Sequence, residues 1–222
     1  MNSDLHLRML AEWRDQNSLF QRLLRPFKSR DRIYGLNWGD PETVPPLAHI
    51  RDNFVLPYVD PQHVAVEIGP GGGRWTRYLL GFGKVYAVDY YQEALDQLKR
   101  NFGSRKNLVF IKNEGSDFPA IEPESVDFAF SFGTFVHLDL DIIESYLKNL
   151  RTIVKPGGNV VLQYSDKTKI MAQSNAGFSE NDPERMRRAV TAAGFRILEE
   201  DTTSLWHSSV VRFTPDGGRQ AQ

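Results

Sequence analysis

The sequence predicts an α/β protein built on a doubly wound, largely parallel sheet, and three observations carry that reading. Short apolar runs alternate with helical stretches from residue 64 to residue 164, the order that a parallel sheet with covering helices requires. The first run, Val64 to Ile68, enters a glycine-rich turn, Gly69-Pro70-Gly71-Gly72-Gly73, and the chain behind it reads as a helix. Near the other end, strands at 195–200 and 204–213 are separated only by Asp201-Thr202-Thr203. So short a connection permits only an antiparallel pair, because a parallel partner needs a crossover of about a dozen residues or more.

Taken in order, the apolar residues Leu5, Leu7, Leu10, Trp13, Leu19, Phe20 and Leu23 fall broadly on one stripe and predict an amphipathic helix over 4–25, ended by Pro26. The stretch 27–46 is rich in Gly, Pro, Asp and aromatics and reads as an ordered loop or lid. A short helix over 47–59 then leads to Asp60-Pro61. Strands follow at 64–68, 84–88, 108–112, 126–131 and 159–164, with helices at 73–80, 91–101 and 139–153 among them and a further helix at 183–193. Residues 1–59 are thus expected to be a helical lid segment, 60–215 the ligand-binding domain and 216–222 a flexible tail.

At 222 residues, 41% hydrophobic and 25% charged, the composition is that of an ordinary globular domain. A net charge of −1 supplies no global basic field, so nucleic acid is not expected as a partner. The absence of cysteine excludes disulfides and Cys-ligated zinc. No apolar run approaches the ~20 residues needed to cross a bilayer, and charge runs through the first residues, so no membrane insertion and a cytoplasmic location are expected.

Glycine turns of this kind serve several ligands, and the flanking residues separate them. A phosphate loop requires Lys-Ser/Thr after the last glycine, where this chain has Arg74-Trp75. A dinucleotide fingerprint requires a small third residue, where the two frames offer Arg74 and Thr76. What fits is E-x-G-x-G-x-G, from Glu67 through Gly69, Pro70 and Gly71 to Gly73. Asp89 ends the second strand, where a carboxylate can accept from both hydroxyls of a ribose or can instead cap the next helix.

On these residues, together with Ile153-Val154-Lys155-Pro156-Gly157-Gly158 before the fifth strand, the chain resembles the class I S-adenosylmethionine-dependent methyltransferases. The resemblance covers about residues 60–213. It implies a Rossmann-like seven-stranded sheet with an antiparallel last strand, S-adenosylmethionine as cofactor, and an N-terminal addition over the substrate. Around NWGDP, GPGGGRWT, NEG and SFGTFVHL the similarity is to bacterial enzymes that O-methylate sugars and polysaccharides. A small-molecule acceptor, a sugar or glycan, follows from it. The alternatives are N- or C-methylation of another metabolite and a non-catalytic nucleotide-binding regulator.

Ligands of a doubly wound sheet bind at the carboxyl ends of its strands where the strand order reverses; the resemblance implies that this point lies between the first and fourth strands, so the glycine turn should face Ser131 to His137. His137 is the candidate general base, since an imidazole can take the proton that a hydroxyl loses as it attacks; packing at a helix start is the alternative. Asp166, after the fifth strand, could orient that ring, bind a substrate hydroxyl or help hold a divalent ion such as magnesium. Asp139 is a substrate-side candidate or a helix cap. For the cofactor, Glu114 and Gly115 stand where relatives meet the adenine amine, with Asp117 as competitor, and Tyr90 could pack on the adenine. Arg74, Trp75, Tyr34 and Trp38 could meet the methionine end, the two lid aromatics also serving the acceptor. Ser131 completes the expected cofactor set.

Overall fold

The computed structural model describes residues 33–217; the predicted helix over 4–25 and the end of the tail lie outside them. Seven strands form one sheet in the order β3-β2-β1-β4-β5-β7-β6. They are β1 (Val64–Ile68), β2 (Lys84–Asp89), β3 (Leu108–Lys112), β4 (Val126–Ser131), β5 (Val154–Ser165), β6 (Phe195–Asp201) and β7 (Ser208–Pro215). Strands β1 to β5 pair in parallel, and β7 runs antiparallel between β5 and β6. The strand order reverses between β1 and β4, which creates the crevice where such sheets bind ligands.

Alternation along the strands supplies two apolar faces. Ala65, Val85, Ala87, Phe128 and Phe130 point to one side. There they meet α1 (Pro45–Ile50), α2 (Thr76–Leu79) and α3 (Gln92–Phe102) through Leu47, Ile50, Leu79 and Leu98. Val66, Ile68, Ala129, Val160 and Leu162 point to the other, against α4 (Leu140–Ile153) and α6 (Pro183–Ala192) through Leu147, Leu150, Met186 and Val190. Between these last two lies α5 (Ile170–Gln173). Residues 45–58 are therefore built into the sheet's covering layer, since Leu47, Ile50, Phe54 and Val55 are all buried in the core.

Where elements depart from the predicted bounds, a local cause is visible. The helix expected from residue 73 is only Thr76–Leu79, because Gly73 has φ 99°, outside the helical region. The helix expected over 47–59 becomes α1, a π turn over Arg51–Val55 and a 3-10 turn over Leu56–Tyr58. Pro57 lacks the N–H that a continued α-helix needs. Strand β5 begins at Val154, five residues early, with the Pro156-Gly157-Gly158 stretch bulging out where the register to β4 shifts. The last strand begins at Ser208 instead of Ser204. Asp201 Oδ1 accepts from the backbone N–H groups of Thr203 and Ser204, at 2.9 Å each, and this turn diverts the chain before it can pair.

Candidate active site

The crevice between β1 and β4 opens into a cleft of about 1030 Å³ that runs from Asp89 past the glycine turn to His137 and His207. Its size stands at the top of the ~300–1,000 Å³ range of small-molecule sites. Glu67, Gly69, Pro70, Gly71, Arg74, Trp75, Asp89, Tyr90, Glu114 and Gly115 all line it, as do Tyr34, Trp38, His137 and Asp139. Fourteen of the sequence-selected residues thus come together around one space.

The turn at its floor depends on missing side chains. Gly69, at φ 69°, sits so close to β4's exit that a Cβ would lie 1.9 Å from Thr134 Oγ1. The backbone of Tyr34 lies on Gly72, where a Cβ would meet its nitrogen at 2.2 Å. Gly73 does not reach the cleft; its bare Cα makes room for Phe102, 2.2 Å from where a Cβ would be.

Two carboxyl groups are buried beside this turn. Asp89 Oδ1 accepts from Tyr91 N–H at 2.9 Å, and Tyr91, not Asp89, occupies the N-cap position of α3. Burial pushes Asp89 up to about 6, against the pull of the Tyr91, Gly71 and Tyr90 backbone amides. Glu67 accepts from Thr76 Oγ1 at 2.6 Å and is pushed up to about 8, chiefly by burial.

Arg74 is buried against the same turn, 8% exposed. Its Nη1 donates to the carbonyls of Gly35 at 3.0 Å and Gly39 at 3.4 Å, and its guanidinium stands over Phe132, 5.4 Å from the ring centroid. That ring ends an aromatic ladder of Phe128, Phe130 and Phe132 along β4, with Trp75 against the last two. Among the described residues no carboxylate stands within ion-pair distance of Arg74. Burial, with the charge of Arg77 nearby, pulls its pKa down to about 10 against the weaker influence of Tyr34 and Asp40.

At the adenine side expected from the sequence, Asn113 is buried and donates from Nδ2 to Gly115 O at 2.8 Å and to Tyr146 Oη at 3.1 Å. Glu114 projects outward and pairs with Lys112 at 2.8 Å. Asp117 accepts from Glu114 N–H at 2.8 Å and closes the turn, a structural role.

On the opposite wall His137 closes the 3-10 turn Phe135–His137, and its Nδ1 lies 2.8 Å from the carbonyl of Gly177. A carbonyl can only accept, so Nδ1 carries the proton and the neutral ring keeps its lone pair on Nε2. Asp139 occupies the N-cap position of α4, yet its side chain makes no capping hydrogen bond and faces the cleft.

Two expected members are elsewhere. Ser131 is fully buried and donates to Ile68 O at 2.8 Å, tying β4 to β1 behind the cleft. Asp166 does not line the cleft and does not orient His137. Its Oδ1 accepts from Thr168 Oγ1 at 2.5 Å and from Thr168 N–H at 3.1 Å, its Oδ2 accepts from Ser209 Oγ at 2.6 Å, and Lys169 lies 3.6 Å away. Those donors hold the carboxyl below its ordinary value in spite of burial. Among the described residues no group of three or more His, Cys, Asp or Glu is arranged to hold a metal ion, so no step is assigned to one.

Sequence reasoning missed residues that the fold brings in from a distance. Gln163 accepts from Gly133 N–H at 2.7 Å and donates to Ser208 Oγ at 2.7 Å, fixing the β4 exit. Asn175 to Phe178 form the rim over His137, and His207 enters from the start of β7. No local motif marks these residues.

Residues 66–162 match the methyltransferase domain family model, spanning β1 to β5 and therefore the turn, Asp89 and His137. Over that stretch, a little under half of its length, the chain is similar to methyltransferase domains. Among solved structures, an S-adenosylmethionine-dependent methyltransferase from Clostridium acetobutylicum superposes with a TM-score of 0.64 at 12% identity, covering 90% of this chain and 100% of that one. A glycopeptide N-methyltransferase in complex with S-adenosyl-L-methionine gives 0.58 at 16% identity, with 70% and 82% covered. The tRNA N(3)-methylcytidine methyltransferase trm140 of Schizosaccharomyces pombe is 30% identical over 128 residues, 52% of this chain. This chain spans 42% of that relative's length. Among the described residues no helix is long and apolar enough to cross a membrane.

Proposed function

We propose that this protein transfers the methyl group of S-adenosylmethionine to a hydroxyl of a small molecule, a sugar or glycan being the acceptor class that the sequence resemblance favours. The observation that carries the reading is the position of His137 in the cleft, its Nδ1–H donating to Gly177 O so that Nε2 is the basic nitrogen of the neutral ring. When bound, the cofactor supplies an electrophilic sulfonium methyl group.

The chain's residues divide the remaining work. Asp89 would accept from the ribose hydroxyls, and the glycine turn lets the cofactor lie against backbone N–H groups. Arg74, buried beside Phe132 without a carboxylate among the described residues, suits the cofactor's own carboxylate. The segment Tyr34 to Gly39, held by Arg74 and by Tyr34 against the turn, would serve as a cover that excludes water. His137 would remove the acceptor's proton as its oxygen attacks, which makes a poor nucleophile a good one.

A polynucleotide acceptor is the second reading, favoured by the similarity to a tRNA methyltransferase. The charge of the cleft opposes it. Besides Glu67, which burial keeps protonated near neutral pH, its lining among the described residues carries five carboxyl groups, from Asp89, Glu93, Glu114, Asp139 and Asp141, against Arg74 as its one Arg or Lys. Such a surface repels a phosphate backbone, whose binding rests on Lys and Arg.

The test is methyl transfer from S-adenosylmethionine carrying a ¹³C-methyl group, offered separately to methyl glycosides, amines and unmodified tRNA. The carbon shift of the product distinguishes an O-methyl ether from an N-methyl or C-methyl group. An ether on a glycoside is expected; label appearing only in tRNA or only on nitrogen would replace this reading.

A further inference from the structure

His207 has no part in the reading above, and its placement is a consequence of topology. Strand β7 is antiparallel, so its beginning and not its end lies at the carboxyl edge of the parallel strands. Ser208 pairs with Ser165, the last residue of β5, and the preceding residue is thereby delivered to the cleft. The backbone there is firmly held. Lys169 Nζ donates to Leu205 O at 2.8 Å and to Ser208 O at 2.6 Å, and Gln163 holds the Ser208 hydroxyl.

The imidazole stands edge-to-face against Phe178, ring centroids 5.2 Å apart, and His137 stands against the same ring at 5.4 Å. Two imidazoles thus flank one phenyl ring on the acceptor side. The Nδ1 of His207 is sealed from solvent, with no partner among the described residues beyond its own backbone. Nε2 is the ring nitrogen that is not sealed, and with the proton there it is a hydrogen-bond donor towards the cleft. Burial, with Lys169, Arg74 and His137 nearby, lowers the pKa and keeps the ring neutral. With its proton on Nε2, His207 presents an N–H where His137 presents a lone pair.

We infer that His207 is a specificity-determining contact, its Nε2–H donating to an acceptor oxygen that neighbours the oxygen methylated beside His137. The acceptor accordingly carries two adjacent oxygens, as a vicinal diol of a sugar ring does. This rests on the O-methylation reading, and it narrows the acceptor class within it.

The experiment compares methyl hexopyranosides with their monodeoxy counterparts in wild type, His207→Phe and His207→Gln. Phe keeps a ring in the wall, while Gln restores an N–H donor. Wild type should discriminate against the deoxy analogue lacking the neighbouring oxygen by roughly 10-fold or more in kcat/KM, the worth of one hydrogen bond in a desolvated site. His207→Phe should raise KM for the parent sugar by about the same factor, change kcat little and erase the discrimination. His207→Gln should recover a substantial part of both. S-adenosylhomocysteine affinity unchanged in both variants shows that fold and cofactor site are intact. Unaltered KM and unaltered discrimination in His207→Phe would overturn the inference. If no glycoside is methylated by wild type, the O-methylation reading is what fails. The tautomer is then read in the cofactor-free protein by long-range ¹H–¹⁵N imidazole spectra, where a proton on Nδ1 of His207 would overturn the donor assignment by itself.

Discussion

Lowering the pH from 8 to 5 should weaken S-adenosylmethionine binding by about tenfold through one group, Asp89. Its carboxyl is buried at the end of β2 and lifted to about 6, so it is ionised at pH 8 and largely protonated at pH 5. Ribose hydroxyls donate to the ionised form, and binding must therefore drive the proton off. With a folded pKa near 6, the ionised fraction at pH 5 is about one in eleven, which raises the apparent Kd about 11-fold. Titration calorimetry in two buffers of different ionisation enthalpy reads both effects. At pH 5 about 0.9 proton should be released per cofactor bound, and almost none at pH 8. Asp89→Asn should bind more weakly at pH 8 and lose the pH dependence. Equal affinity at pH 8 and pH 5 in wild type, or the same slope in the Asn variant, would refute the assignment of Asp89 to the ribose.

Glu67 and the glycine turn give further tests. Burial raises Glu67 from its ordinary 4.5 to about 8, so the folded state binds the extra proton. Its contribution to stability is complete below pH 4.5 and is lost as pH rises towards about 8. Glu67→Gln should consequently melt higher than wild type at pH 8 and close to it at pH 4.5, as followed by circular dichroism; equal melting temperatures at pH 8 would contradict the buried placement. Gly69→Ala places a Cβ 1.9 Å from Thr134 Oγ1 at a backbone φ of 69°. It should lower cofactor affinity by more than tenfold, since the turn and the β4 exit must both shift. Wild-type affinity in that variant would mean that the turn does not touch the cofactor.

Much of the fold was legible because the core writes itself into local patterns. β1, β3 and β4 begin and end at their predicted residues, since each is a short apolar run bounded by polar or glycine residues. β7 was misplaced because Leu205 and Trp206 look like strand residues, whereas the Asp201 turn that delays the strand is a side-chain interaction. The wall of the cleft around the glycine turn was readable for the same reason as β1, its parts lying in one contiguous motif. The opposite wall was not. Asp166 lies at a strand's carboxyl end, as sequence reasoning required, but Ser209 and Thr168 turn it away. His207 was passed over because it fell inside the strand predicted over 204–213, with no placement at a carboxyl end; the later start of β7 and its antiparallel direction carry it to the edge where the cleft lies.

Proton removal by His137 is measured most directly as the single-turnover rate of methyl transfer in wild type and His137→Ala, with cofactor affinity determined alongside. The expected result is a rate lower by roughly 10²–10⁴-fold with S-adenosylmethionine affinity nearly unchanged, the signature of a lost general base. A near-normal rate in His137→Ala would contradict it and leave proximity alone, or Asp139 and Asp141 on the same wall, to account for the transfer.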